Sequence, residues 1–185
     1  ATVIRTIRRV LDEAGYTEVE TPTLQSIAGG ASARPFITHF NALNIDMYMR
    51  IATELYLKRL IVGGFEGVYE IGKNFRNEGM DRNHNPEFTC MELYVQYKDY
   101  NWMMSFTEKL LETVCIAVNG KPEREIDGQI ISFKAPFRRL PILDAIKEKT
   151  GYDLNGMSEE EIREVCKKLN MDIDDTMGKG KLIDE

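Results

Sequence analysis

Two neighbouring strands predicted from residues 68–78 and 88–97 constrain the fold more than any other part of this sequence. A short polar loop separates the two runs, which is the pattern of an antiparallel hairpin. In the second run apolar residues alternate with polar ones that include Glu92 and Tyr94, so the two kinds of side chain point to opposite faces. We therefore expect one apolar face, and one face that presents a carboxylate and a phenol together.

Helical and extended segments surround this hairpin without a regular repeat of strand and helix. The sequence predicts helices over residues 1–14, 53–62 and 103–117, and further strands over residues 16–20, 36–40 and 47–50. Thr53 stands where an N-cap is expected, and Asp127-Gly128 is a hairpin-turn signal. This mixture predicts an α+β fold, in which a mainly antiparallel sheet is flanked by helices.

The pattern changes towards the C-terminal end of the sequence. Pro141 is suited to open a short helix that ends at Gly151, and residues 158–161 (Ser-Glu-Glu-Glu) form a capping box before another helix. These helices are polar and short, as in a subdomain inserted between elements of a sheet. We therefore expect a first domain over residues 1–136 and a helical inserted subdomain over residues 137–185.

Composition argues against several classes of protein. The net charge is −6, from 24 basic and 30 acidic residues, whereas a protein that grips nucleic acid by broad phosphate neutralisation is usually basic. No apolar run reaches the length that spans a membrane, so we expect no membrane partner. Three cysteines stand singly, which argues against a disulfide framework or a zinc site and favours a reducing cytoplasm.

Three strings carry a resemblance to a known family. Residues 76–79 (Arg-Asn-Glu-Gly) and 84–88 (His-Asn-Pro-Glu-Phe) resemble the second signature motif of class II aminoacyl-tRNA synthetases. Together with residues 29–36 (Gly-Gly-Ala-Ser-Ala-Arg-Pro-Phe), they are most similar to the bacterial-type lysyl-tRNA synthetases. The resemblance implies a class II catalytic fold and a lysine–tRNA ligase. Such an enzyme activates lysine with ATP to lysyl-adenylate and transfers the lysyl group to tRNA(Lys), and it works in the cytoplasm.

Thr21-Pro22 resembles the first class II motif, which forms the homodimer interface in the family. The resemblance therefore implies a homodimer that forms through the first helix, the first strand and Pro22. Two residues alone fit a simple strand terminator equally well, and the preceding residues 18–20 (Glu-Val-Glu) favour the motif.

The same resemblance implies an ATP site. Arg76 would bind both the carboxylate of the amino acid and the α-phosphate of ATP, which makes it the expected catalytic residue. Glu78 would recognise the adenine side, His84 and Asn85 would reach the phosphates, and Phe88 would stack on adenine. Without the resemblance, an arginine and a glutamate two residues apart on one strand face favour a cross-strand ion pair.

The resemblance also implies a lysine site made of Gly30, Glu54, Arg76, Glu92 and Tyr94. Glu54 would hold the α-ammonium, while Glu92 and Tyr94 would contribute to the pocket for the ε-ammonium. Gly30 would let the backbone approach the ligand closely. The residue type of Glu92 agrees with this role, because a carboxylate that faces inward from a central strand needs a partner. A cationic substrate supplies one.

Two features of the family are not recognised in these residues: the third motif, and the acidic strand that binds magnesium. We therefore expect the chain to be a fragment that contains the first half of a catalytic domain, without the anticodon-binding domain, and that is inactive alone. ATP and Mg²⁺ are the expected cofactors. The magnesium ligands are expected mainly in the part beyond this sequence, with no metal site within it.

Two other functions fit parts of the sequence. A core-only paralogue would transfer lysine to a protein, and a synthetase-like binding module would have no catalytic activity. Residues 29–35 favour the tRNA enzyme over the paralogue, because such relatives keep the second motif but lack this loop. Arg76 and Glu92 are both present, whereas a non-catalytic module is expected to lose one of them.

Overall fold

The computed structural model describes residues 1–185 and divides into two compact units, Ala1–Pro136 and Phe137–Glu185. The elements of the first unit are α1 (Thr2–Glu13), β1 (Thr17–Glu18), β2 (Leu24–Gln25), β3 (Ile37–Phe40), β4 (Ile45–Met49), α2 (Glu54–Val62), β5 (Gly67–Phe75), β6 (Glu87–Val95), α3 (Tyr100–Asn119), β7 (Glu123–Ile126) and β8 (Gln129–Ser132). Those of the second are α4 (Ile142–Thr150), α5 (Glu159–Lys168) and α6 (Lys179–Asp184). No helix is both long enough and apolar enough to cross a bilayer.

Antiparallel pairing dominates the first unit, and the predicted α+β class is confirmed. The predicted hairpin is the β5–β6 ladder, which runs from Gly67 opposite Val95 to Phe75 opposite Glu87. The two-residue strand β1 joins the other edge of β5 in parallel. A second sheet has the order β2-β4-β3 and is antiparallel throughout, and β7 and β8 form a separate hairpin.

The first strand of the central hairpin is shorter than the sequence predicted. It ends at Phe75, so the expectation that Arg76 and Glu78 share one strand face is wrong. The backbone changes partners here: the Arg76 N–H still donates to the Pro86 carbonyl at 2.8 Å, but the Asn77 N–H donates to the Arg34 carbonyl at 2.7 Å. From Asn77 onward the chain therefore bonds to the loop that carries Arg34 and no longer to β6.

Thr53 does stand at the start of α2, but its side chain does not cap the helix. Its backbone is already helical, with φ −92° and ψ −8°, whereas a capping side chain works from an extended residue. The other predicted turn and cap signals are confirmed. They are the Asp127-Gly128 turn, Gly151 at the end of α4, and the capping box of Ser158 with Glu161.

The second unit has its own small core, made by one face of α5 with neighbouring apolar residues. Its buried members are Leu154, Ile162, Val165, Cys166 and Leu182. Because each helix here is too short to be stable alone, this shared apolar contact is what holds the unit together.

A buried ion pair connects the strands of the first unit. Arg50 and Glu70 are each only 4% exposed at the side chain, and Arg50 Nη1 lies 2.5 Å from Glu70 Oε1. The guanidinium also donates to the carbonyls of Lys73 and Thr21, at 2.8 and 3.1 Å. The other carboxylate oxygen of Glu70 accepts from the Thr21 hydroxyl at 2.6 Å. A side chain on Gly72 would collide with the guanidinium, which explains glycine in the middle of β5.

Removing one partner of this pair should destabilise the first unit strongly. Glu70→Gln leaves the Arg50 charge buried without a countercharge, so we expect a loss of about 3 kcal/mol or more in the free energy of unfolding. Urea denaturation followed by the fluorescence of Trp102, the single tryptophan, reports on this unit. Glu13→Gln is the control, because the Arg9–Glu13 pair is exposed and its loss should cost about 1 kcal/mol or less. Equal losses in the two variants would contradict the account.

Candidate functional site

One cavity of about 270 Å³ lies at the loop end of the central hairpin. Its lining residues are Arg76, Glu78, Gly79, Asn83, His84, Asn85 and Phe88. All five residues expected to contact ATP are among them. The end of β5, the start of β6 and the loop between them therefore bring together groups that are up to 12 positions apart in sequence.

Arg76 is the cation of this cavity, and no carboxylate of the chain pairs with it. Its guanidinium carbon lies 5.1 Å from the centre of the Phe88 ring, and Nε makes only a long contact of 3.4 Å with the Ile51 carbonyl. Glu78 does not pair with Arg76 but accepts the backbone N–H of Arg34 at 3.2 Å. The cross-strand ion pair is therefore not formed, and the guanidinium keeps donors for a carboxylate or a phosphate.

The hairpin loop is closed by a compact turn from Asp81 to His84. The Asp81 N–H donates to the His84 carbonyl at 3.2 Å, and Asp81 Oδ1 accepts the N–H groups of Asn83 and His84 at 2.7 and 2.8 Å. The imidazole Nδ1 of His84 lies 2.8 Å from Asp81 Oδ2. The backbone N–H of Asn83 and the imidazole of His84 hold the pKa of the Asp81 carboxyl below its usual range. Asp81 thus orients His84, a role that sequence reasoning did not assign.

Glu92 and Tyr94 form the acidic part of the site on β6. Tyr94 donates its hydroxyl to Glu92 Oε2 at 3.1 Å, and the backbone N–H of Thr53, at the start of α2, donates to Glu92 Oε1 at 3.1 Å. From the sequence, a cationic substrate was the expected partner of Glu92. In the folded chain two donors, the Tyr94 hydroxyl and the Thr53 N–H, already contact its carboxylate. Burial, followed by the charge of Glu92, raises the pKa of Tyr94, so the phenol remains a protonated donor at neutral pH.

Gly30 and Glu54 meet next to this acidic part. Gly30 has a φ of +88°, and a Cβ there would lie 2.9 Å from Glu54 Cβ and 3.2 Å from Ala52 Cβ. Only glycine lets the backbone pass this close to Glu54 and Ala52, and the approach of the Gly30 backbone to a ligand stays a prediction. The carboxylate of Glu54 is paired with Lys58, whose Nζ lies 2.5 Å from Oε1.

Cys90 lies between the cavity and the acidic part along β6. It lies on β6 between Phe88 and Glu92 in sequence, and the alternation of the strand gives the three side chains one face. Burial and the Glu92 charge raise the pKa of the Cys90 thiol, while the charge of Arg76 acts against them. The thiol is thus within electrostatic reach of both charged groups.

Sequence reasoning missed four residues of the site: Thr53 as a donor, Lys58, Asp81 and Cys90. Weak signals for two of them existed, because Lys58 follows Glu54 by one helical turn and Asp81 precedes His84 by three residues. No group of three or more His, Cys, Asp or Glu side chains is arranged to hold a metal ion.

Comparisons with known proteins show the family to which the chain belongs. The family model described as tRNA synthetases class II (D, K and N) matches residues 1–176. A protein of Porphyromonas gingivalis (strain ATCC BAA-308 / W83) named lysine–tRNA ligase is 62% identical over 183 residues, which cover 99% of this chain and 32% of that protein. The protein of the same name from Christiangramia forsetii is 64% identical over 179 residues, covering 97% of this chain and 32% of the relative.

A third lysine–tRNA ligase, from Azobacteroides pseudotrichonymphae, is 60% identical over 183 residues, covering 99% of this chain and 37% of the relative. The chain thus spans about a third of the length of the curated relatives that it matches.

The tautomer of His84 should depend on Asp81. With the carboxylate accepting from Nδ1, we expect the neutral ring to carry its proton on Nδ1 and to turn Nε2 away from Asp81. Imidazole ¹⁵N shifts at about pH 9, where histidine is neutral, measure this directly. Asp81→Asn should shift the His84 signals towards the Nε2–H form.

Asp46→Asn is the matched control for this measurement. His39 Nδ1 contacts Asp46 Oδ1 at 3.1 Å, so this change should alter His39 and leave His84 as it was. A His84→Gln variant assigns the signals. An unchanged His84 tautomer in Asp81→Asn would show that the carboxylate does not orient the ring.

Proposed function

The chain belongs to the class II tRNA synthetases, and from this membership and the geometry of its site we propose that it serves a lysine–tRNA ligase. The reaction joins lysine to ATP as lysyl-adenylate with release of pyrophosphate, and then transfers the lysyl group to tRNA(Lys). One observation carries the proposal. Arg76, which has no carboxylate partner, lines a cavity built largely from residues of the second motif, and the hydrogen-bonded pair of Glu92 and Tyr94 lies on β6, the strand that also carries its contact Phe88.

Adenylate formation requires the amino-acid carboxylate to meet the α-phosphorus of ATP. We assign both groups to Arg76, whose planar fork of donors suits a carboxylate and a phosphate together. A carboxylate oxygen forms the new O–P bond, and the bond to pyrophosphate breaks. Negative charge builds on the phosphoryl oxygens as this happens, and a positioned guanidinium stabilises it. The step needs no nucleophilic side chain, so orientation and charge carry the catalysis.

The remaining residues of the cavity are assigned to ATP. Phe88 offers an apolar face for the adenine ring, and Glu78 lies where it can accept from an adenine amino group. His84 and Asn85 are assigned to the phosphates. The Asp81 contact supports this for His84, because it leaves Nε2 as the free ring nitrogen.

The acidic pocket is assigned to lysine. Glu92 and Tyr94 supply a carboxylate and a phenol for the ε-ammonium, and Glu54 supplies a carboxylate for the α-ammonium. The Gly30 backbone passes close to Glu54 and adds carbonyl and N–H groups near the ligand. The chemistry of this set, which is acidic and partly buried, suits a cationic side chain better than an acidic or an apolar one.

Further features of the enzyme are proposed from family membership. We assign residues 1–136 to the first half of a class II catalytic domain and residues 137–185 to a helical inserted subdomain. We propose a homodimer through α1, β1 and Pro22, and magnesium bound to ATP outside the residues described here. We place the enzyme in the cytoplasm, in line with its three free cysteines. No observation favours the protein-lysylating or the non-catalytic alternative.

Arg76 is the residue whose loss should affect chemistry most. Lysine-dependent ATP–pyrophosphate exchange by the full-length protein should fall about a hundredfold or more in Arg76→Ala, because a transition-state contact is removed. Arg76→Lys should recover little, because a point charge cannot replace the bidentate fork. Near-normal exchange in Arg76→Lys would contradict the assignment.

Glu92→Gln should weaken lysine recognition and leave ATP recognition nearly intact. The change removes a partly buried countercharge, so we expect a loss of at least about 2 kcal/mol, seen as a rise in the KM for lysine. The KM for ATP in the same exchange assay is the internal control. A normal KM for lysine in this variant would contradict the role of Glu92.

A further inference from the structure

The proposed lysine pocket already contains an ammonium group that belongs to the protein. Lys58 Nζ lies 2.5 Å from Glu54 Oε1, and it also lies 5.9 Å from the centre of the Tyr94 ring. Glu54 and Lys58 are both on α2, whereas Tyr94 is on β6. The lysine side chain therefore extends from the helix over the strand that carries the pocket, and does not merely follow the helix surface.

Among the charged groups assigned to lysine, the charges balance only when Lys58 is counted. Glu54 and Glu92 contribute two negative charges, Arg76 and Lys58 contribute two positive ones, and the Tyr94 phenol is protonated. L-Lysine brings two ammonium groups and one carboxylate, a net charge of +1. If Lys58 stayed in place, its ammonium and the two ammonium groups of the ligand would share the carboxylates of Glu54 and Glu92. One ammonium group would then lack a counter-ion.

We propose that Lys58 is an internal counter-ion for Glu54 that the α-ammonium of the incoming lysine displaces. This inference rests on the proposed function, because it assigns Glu54 to that ammonium. The chemistry of the two groups is the same, so Lys58 fills the position that the ligand takes and keeps Glu54 paired while the pocket is free. Lys58 acts through Glu54 and is a specificity-determining residue, not a catalytic one.

The side chain of Lys58 is suited to leave. It is 56% exposed, whereas that of Glu54 is 30% exposed, so the released ammonium regains water while the carboxylate stays in the pocket. An exposed pair between residues i and i+4 of a helix is weak, and a flexible four-carbon stem can swing outward without a change of backbone. The ring contact at 5.9 Å is at the outer limit of a cation–π interaction and adds little resistance.

Displacement of Lys58 predicts that removing its charge changes the affinity for one ligand and not for another. L-Lysine carries an α-ammonium and must compete with Lys58 for Glu54. The analogue 6-aminohexanoate has the same carboxylate and the same terminal ammonium but no α-ammonium, so it has no need to displace Lys58. Removing the positive charge of Lys58 should therefore favour the first ligand and not the second.

Isothermal titration calorimetry on the full-length protein tests this directly. Lys58→Gln should bind L-lysine roughly two- to fivefold more tightly than the unchanged protein, because a competitor of the strength of an exposed ion pair is gone. The affinity for 6-aminohexanoate, measured by competition, should stay the same. Lys58→Arg keeps the charge and should resemble the unchanged protein. Lys121→Gln removes an exposed lysine paired with Glu123 at 3.6 Å, and controls for the change in net charge.

Each other outcome overturns the inference. Equal affinity for L-lysine in Lys58→Gln and the unchanged protein would make the contact a surface ion pair without a role in binding. Weaker binding in Lys58→Gln would mean that Lys58 assists the ligand. A parallel gain for 6-aminohexanoate would show that Lys58 affects the terminal ammonium or the carboxylate, which both ligands share, and not the α-ammonium. If neither protein binds L-lysine, the proposed function fails as well, whereas binding with equal affinity overturns this inference alone.

Discussion

The ion pair between Arg50 and Glu70 is the contact on which the arrangement of the site depends. Both side chains are buried, and together they bind Thr21, Lys73 and the middle of β5. The backbone of Arg50 makes two further bonds, since its N–H donates to Thr23 and its carbonyl accepts from Phe75. A buried charged pair has few acceptable geometries, because its donors and acceptors need partners, so it restricts how the strands lie relative to each other.

The positions of Arg76 and Glu54, which are proposed to bind the reactants, depend on this ion pair. Arg76 comes one residue after Phe75, and α2, which carries Glu54, begins four residues after Arg50. The ion pair therefore holds the end of β5, which is followed by Arg76, close to the start of α2, which carries Glu54. The N-terminus of α2 then reaches Glu92 through the Thr53 N–H. Hydrogen bonds and the ion pair thus hold groups from three separate segments near one another, and such preorganisation is what positional catalysis requires.

Local rules predicted the local features of this fold. The central hairpin, the Asp127-Gly128 turn and the capping box at Ser158 depend on residues that are neighbours in sequence, and all three form. The end of β5 could not be predicted in this way, because Phe75 is followed by a switch to the distant Arg34 loop. The ion pair joins residues 20 positions apart, and no local pattern marks it. The contacts of Lys58 also needed the fold, since its neighbour Tyr94 lies on another element.

We propose that one site condenses a cationic amino acid with ATP. The most direct test is ATP–pyrophosphate exchange by the full-length protein with each standard amino acid in turn. We expect exchange that depends on lysine, with far lower rates for uncharged and acidic amino acids. Of these ligands only lysine has a second ammonium, and that group matches the carboxylate of Glu92 and the Tyr94 phenol. Comparable exchange with an uncharged amino acid, or no exchange with lysine, would contradict it.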